Sequence, residues 1–189
     1  MNKVILASAS EGRKRLFETH IKHFEISISS VDEESVGISD PHELVRKLAL
    51  MKAHAVARKY PDDLTIGFDT VVICRGEIIG KPKDNMDAIR ILKSIRGKRQ
   101  SVLTGYAIVN KVLQLEINDE VETVLCMRDL SDEFIESYVK NHPVTKFAGG
   151  YGVQDNDQLI EILSGDFDNV IGAPMRAIIN HLKDLGYIE

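Results

Sequence analysis

Residues 65–84 read TIGFDTVVICRGEIIGKPKD, and they decide the fold. Ile66, Phe68, Val71, Val72, Ile73 and Cys74 are β-branched, aromatic or apolar, at the density of a central strand. Arg75-Gly76-Glu77 makes a turn, Ile78-Ile79 a short returning strand, and Gly80-Lys81-Pro82 ends the hairpin. One carboxylate, Asp69, interrupts the buried run. An ionised carboxylate there is costly unless a metal, a cation or hydrogen bonds compensate it. Lys81, at the hairpin's return, is one candidate cation. The alternative is that Asp69 and Thr70 mark a strand end, with the side chain bonding local backbone.

The same alternation of strand and helix continues on both sides. Lys3–Ser8 reads as a first strand and Ser10 as the cap of a helix carrying Arg13, Lys14, Arg15, Leu16 and Phe17. Ser8, Ser10, Arg13 and the helix start make either a local anion site or an ordinary cap on a solvated basic helix. The spacing is not that of a Walker-type loop. Phe24–Ser29 alternates like a half-buried strand and runs into the acidic group Asp32-Glu33-Glu34, a solvated loop or the seat of a metal-binding carboxylate. Asp40-Pro41-His42-Glu43 starts a helix to about Lys59. In it Lys52 interrupts the apolar row Val45, Ala49, Val56, so its ammonium either snorkels to water or enters a pocket.

Beyond the hairpin, Asp84 caps a helix with Ala88, Ile91, Leu92 and Ile95, closed by Gly97. Gln100–Val109 and Leu113–Met127 are long and strand-rich. Ser131 caps a helix of Phe134, Ile135, Tyr138 and Val139. The Gly-dense stretch 149–154 brings backbone close to another strand or a ligand. Leu159–Leu163 is the last strand, and Gly172-Ala173-Pro174 leads into a final amphipathic helix. Early alternation with antiparallel hairpins in the middle predicts an α/β fold with a mixed sheet.

Composition narrows the function. The chain has 189 residues, enough for one substantial core, with ordinary hydrophobic (43%) and charged (28%) fractions. A net charge of −5 disfavours a nucleic-acid binder, and the basic-aromatic stripe of a single-strand binder is missing. No apolar run reaches membrane-spanning length and no signal peptide pattern opens the sequence, so a cytoplasmic protein is expected. Cys74 and Cys126 have no metal-ligand spacing and read as buried thiols.

Taken in order, these pieces resemble the Maf family of nucleoside triphosphate pyrophosphatases, related in fold to the inosine-triphosphate pyrophosphatases. The resembling segments are Leu6–Phe17 (LASASEGRKRLF), Asp32-Glu33, Leu48-Ala49 with Lys52-Ala53, Asp69-Thr70-Val71-Val72, Gly80-Lys81-Pro82, Thr104-Gly105, Gly150–Gln154 and Asn169–Pro174. The resemblance implies a single domain over 1–189, with an elongated central sheet flanked by helices and two lobes around a nucleotide-binding cleft. It implies metal-dependent hydrolysis of nucleoside triphosphates to monophosphate and pyrophosphate, removing unwanted or modified nucleotides. Asp69 is then the proton acceptor, and Asp69 and Glu33 would hold Mg²⁺ or Mn²⁺. Lys52 and Lys81 join them as catalytic residues, with Ser8, Ser10 and Arg13 around the triphosphate. Thr70 and Gln154, tied to base selection, resemble the subgroup acting on dTTP and UTP. The family is also linked to arrest of cell division and septum formation, so a nucleotide-binding regulator with little catalysis is the alternative. A homodimer is compatible with the sequence. Departures from the family pattern fall at Glu11-Gly12, where Pro-Arg is usual, at Phe68, where Ala is usual, and in the spacing of Lys146–Gly149.

Overall fold

The computed structural model describes residues 3–153 and 159–188. Seven strands form one mixed sheet flanked by helices, in the hydrogen-bonded order β2-β1-β3-β5-β6-β7, with β4 paired to β3 off this path. The strands are β1 (Val4–Ala7), β2 (Glu25–Ile26), β3 (Leu64–Cys74), β4 (Glu77–Ile79), β5 (Arg99–Asn110), β6 (Leu115–Met127) and β7 (Ile160–Ser164). The helices are α1 (Glu11–His20), α2 (Pro41–Ala57), α3 (Asn85–Ile95), α4 (Asp132–Asn141), α5 (Phe167–Ile171) and α6 (Met175–Asp184). Two compact units can be distinguished. One comprises residues 1–69, 104–121 and 172–189, the other 70–103 and 122–171.

In the first unit β1 pairs in parallel with both β2 and β3. Helix α2 begins as its sequence predicts: the Asp40 side chain accepts from the Glu43 N–H at 2.8 Å, with Pro41 in the first turn. It then lies on the sheet at unusually close range. A Cβ added to Gly67 of β3 would stand 2.5 Å from the Ala49 carbonyl oxygen, and one on Gly105 of β5 only 2.3 Å from the Val45 carbonyl. Ala49, Ala53 and Ala57 complete this thin interface with Ala107 and Val109. Small residues on both sides therefore set the height of α2 over the strands.

The expected strand over Phe24–Ser29 shrinks to Glu25–Ile26, both exposed. It occupies the sheet edge, so Ile26 and Ile28 stay in solvent rather than in a core. Their alternation marks an edge and not a half-buried strand.

The second unit contains the predicted hairpin. Arg75 (φ 56) and Gly76 (φ 82) join β3 and β4, which pair antiparallel. Positive φ at both central residues is the geometry that matches strand twist in a two-residue turn. A core of Val72, Ala88, Ile91, Leu92, Ile95, Leu125, Ile135 and Val139 packs α3 and α4 against the sheet. The Gly-dense stretch approaches the hairpin's end: the Gly149 N–H donates to the Gly80 carbonyl at 3.1 Å, and Gly150 sits against Pro82. Buried Tyr151 donates to Gln100 at 3.0 Å. Helix α5 went unforeseen. Its Asn169, fully buried, donates to the Val102 carbonyl and to Thr123 Oγ1, both at 3.1 Å.

Candidate active site

The first unit brings six of the predicted site residues together. Asp69 stands at the end of the part of β3 that this unit contains and is 6% exposed. Lys52 rises from the sheet-facing side of α2 and is 8% exposed, so its ammonium does not snorkel. It donates to Asp69 Oδ1 at 2.7 Å and pairs with Glu33 Oε1 at 3.0 Å. The break in the apolar row of α2 is thus filled by a cation joining two carboxylates. Glu33 comes from the loop before a short 3₁₀ turn (Glu34–Val36) and is half exposed.

Beside this triad lies a prepared anion-binding corner. Ser10 caps α1, accepting from the Arg13 N–H at 3.4 Å. The Ser8 hydroxyl accepts from the Ser10 N–H and from Arg13 Nη1, both at 3.2 Å, which leaves its own proton to donate. Arg13 Nε donates to the Gly172 carbonyl at 2.7 Å, and Nη1 reaches the Phe68 carbonyl at 3.4 Å. The guanidinium lies 5.5 Å from the Phe68 ring centroid, and Phe17 meets the same ring edge-on at 5.9 Å. Phe68, a departure from the family pattern, therefore supports Arg13 and fills the space under α1. Gly12, the other departure, is buried in α1.

The electrostatics follow from burial. Asp69 is pushed above the usual carboxylate range, first by burial; Lys52 and Arg13 pull the other way and Glu33 adds to the rise. Burial lowers the Arg13 value while Asp69 and Glu33 raise it. Arginine titrates so far above neutrality that it remains a cation. The result is a carboxylate with enhanced basicity, a cation that orients it and a guanidinium fixed at a helix N-terminus.

Thr70 and Lys81 belong to the second unit. Thr70 follows Asp69 in β3 and is partly buried; Lys81 is exposed, in the segment that Gly149 and Gly150 contact. Gln154 lies outside the described residues. Among the described residues no group of three or more His, Cys, Asp and Glu side chains gathers as a metal site. Asp69 and Glu33, held together by Lys52, nevertheless fit a hard divalent cation such as Mg²⁺, which takes one or two carboxylates and completes its shell with water and phosphate. Sequence reading missed the contributions of Gly172, whose backbone carbonyl carries no residue signature, and of Phe68, which meets Arg13 through both its carbonyl and its ring. No helix among the described residues is long and apolar enough to cross a membrane.

Comparison with known proteins identifies the chain's relatives. A protein described as a dTTP/UTP pyrophosphatase from Elusimicrobium minutum is 40% identical over 186 residues, covering 98% of this chain and all of the relative. Proteins of the same description from Pyrococcus furiosus and Symbiobacterium thermophilum are 39% and 38% identical, each over 99% of this chain and 97% and 96% of their own length. Among solved structures, a HAM1 protein from Coxiella burnetii matches over the full length of both chains with a TM-score of 0.56 at 13% identity, a likeness of fold alone. The profile of the family described as "Maf-like protein" matches residues 3–185, and the chain belongs to that family.

Proposed function

We propose that this chain hydrolyses nucleoside triphosphates to the monophosphate and pyrophosphate, with dTTP and UTP as its substrates. The observation that carries the reading is the buried Asp69 held at 2.7 Å by Lys52, which also pairs with Glu33. The relatives described as dTTP/UTP pyrophosphatases support the choice of substrates.

In this reading Asp69 is the general base. Burial raises its affinity for a proton, and Lys52 fixes which oxygen faces the attacking water. Arg13 and the Ser8 hydroxyl, at the α1 N-terminus, bind phosphate oxygens and hold the chain of phosphates in line. Lys81 neutralises charge on the departing pyrophosphate. A divalent cation, held by Asp69 and Glu33, would supply further neutralisation of phosphate charge and a more acidic water. Thr70 and Gln154 select the base, an amide offering both a donor and an acceptor to the imide edge of uracil or thymine.

The test is pyrophosphate release from UTP, dTTP, CTP, GTP and methylated GTP, with Mg²⁺ and with Mn²⁺. UTP and dTTP should show the highest kcat/KM. A purine preference would overturn the assignment of substrate, and no release from any of them would overturn the assignment of reaction.

A further inference from the structure

Residues 67–69 of β3 serve opposite faces of the sheet, as alternation along a strand requires. Gly67 lies under α2 and Asp69 meets Lys52 of the same helix, whereas Phe68 points to the side of α1. Its ring is fully buried there, edge-on to Phe17 at 5.9 Å, and Phe17 in turn meets Phe24 edge-on at 5.3 Å. Contact with its neighbours thus fixes the one ring over which the Arg13 guanidinium lies, 5.5 Å from the centroid. The reaction described above makes no use of this ring.

A guanidinium in this position needs compensation, because burial penalises its charged form. A carboxylate in the ring's place would supply it, but would also accept N–H groups and present negative charge to an incoming phosphate. The π face does neither. It attracts the cation through its quadrupole, most strongly where water is excluded. The carbonyls of Gly172 and Phe68 and the Ser8 hydroxyl pin Arg13 Nε and Nη1 individually, while the ring supports the ion as a whole. A side chain held in place before phosphate arrives loses less freedom on binding it.

We propose that Phe68 is a positioning residue for the triphosphate: its ring holds the Arg13 guanidinium in the pose that binds phosphate oxygens, and so raises affinity for a substrate that Phe68 itself does not touch. Ala, usual at this position in the family pattern, offers no such face, so the device belongs to this chain. The inference rests on the reading of Arg13 as a phosphate ligand given above. Because Asp69 and Phe68 project from opposite faces of β3, the effect falls on binding and not on the proton transfer assigned to Asp69.

The experiment replaces Phe68 in the full chain by phenylalanines carrying one, two and three ring fluorines, which weaken the negative face stepwise with little change in size. Phe68→Leu, which removes the face altogether, is made beside them. Calorimetry measures the affinity for uridine 5′-(α,β-imido)triphosphate, which is not cleaved between its α- and β-phosphates, with Mg²⁺ present. Kd should rise stepwise to about fivefold with three fluorines and by about as much in Phe68→Leu. KM for UTP should rise in parallel, with kcat changed by less than about twofold. In an Arg13→Gln background the fluorine series should be flat. Urea unfolding checks each variant, and if Phe68→Leu does not fold, the nearly isosteric fluorine series decides by itself. A Kd that does not move along the series would overturn the proposal, as would a dependence on fluorine that survives Arg13→Gln. An Arg13→Gln variant that binds the analogue like wild type would overturn the reading of Arg13 and this inference with it. A flat series beside a weakened Arg13→Gln overturns this inference alone.

Discussion

Replacing Lys52 by Met keeps most of the side-chain volume and removes the charge. Taken from the apolar row of α2 alone, the change should be harmless or stabilising. The geometry reverses that expectation. Asp69 is 6% exposed and hydrogen-bonds to Lys52 at 2.7 Å, so the variant strands a buried carboxylate with Glu33 nearby. Breaking a buried pair from one side costs about 3–5 kcal/mol when the remaining charge cannot escape. Asp69 can escape by taking up a proton. Its folded value already lies above the ordinary 3.8, chiefly through burial, and loss of Lys52 removes a cation that pulls it down. A group whose folded value is raised contributes stability that is present below its unfolded value and lost as pH rises through the folded one. The penalty of Lys52→Met should therefore be small near pH 4 and grow toward neutrality, approaching about 3 kcal/mol near pH 7. Urea unfolding of wild type and variant between pH 4 and pH 8 measures this directly. The double variant Lys52→Met/Asp69→Asn should recover most of the loss, because nothing ionisable is then stranded on β3. A deficit independent of pH, or one the double variant retains, would refute the argument.

Asp69→Asn alone should keep or slightly raise stability while turnover drops by about 10²–10⁴, measured as pyrophosphate release. Gly105→Ala places a methyl 2.3 Å from the Val45 backbone, and since α2 cannot yield locally the whole helix must lift. The cost should be about 3 kcal/mol in urea unfolding, with turnover down about a hundredfold as Lys52 leaves Asp69. Arg13→Lys keeps the charge but loses the fork that serves the Gly172 carbonyl and Ser8 together, so KM for UTP should rise roughly tenfold with a smaller change in kcat.

Local chemistry was the part of this molecule legible in the sequence. The Asp40, Asp84 and Ser131 caps and the Arg75-Gly76 turn act within a few residues, and each occurs where its residue types place it. Asp69 and Lys52 were conspicuous because each violates the pattern around it, a charge inside a strand and a charge inside an apolar row. That they answer one another was not readable, since the pairing depends on how α2 lies over β3. The height of α2 depends in turn on Gly67 and Gly105, and a glycine in a strand does not announce what approaches it. The edge strand β2 failed for the opposite reason: its alternation was real, but period two does not say whether a second layer covers the apolar side. Helix α5 is five residues long, too short for a helical period to show.

The division of the long strands has a consequence for how this chain acquires its structure. β3, β5 and β6 each begin in one compact unit and end in the other, and the chain crosses once more after α5, so the backbone passes from one to the other four times, after residues 69, 103, 121 and 171. Neither unit is a continuous length of polypeptide. The first closes only when residues 172–189, which follow the rest of both units in sequence, return to it, and with them comes the Gly172 carbonyl that holds Arg13. A ribosome therefore cannot release a finished half while the other is being made. Pairings between distant parts of the chain form slowly, because loop closure must precede the contacts that reward it. The contact of Arg13 with the Gly172 carbonyl spans 159 residues of sequence, and a chain cut short before residue 172 carries Asp69 and Lys52 without the carbonyl that orients their neighbouring arginine.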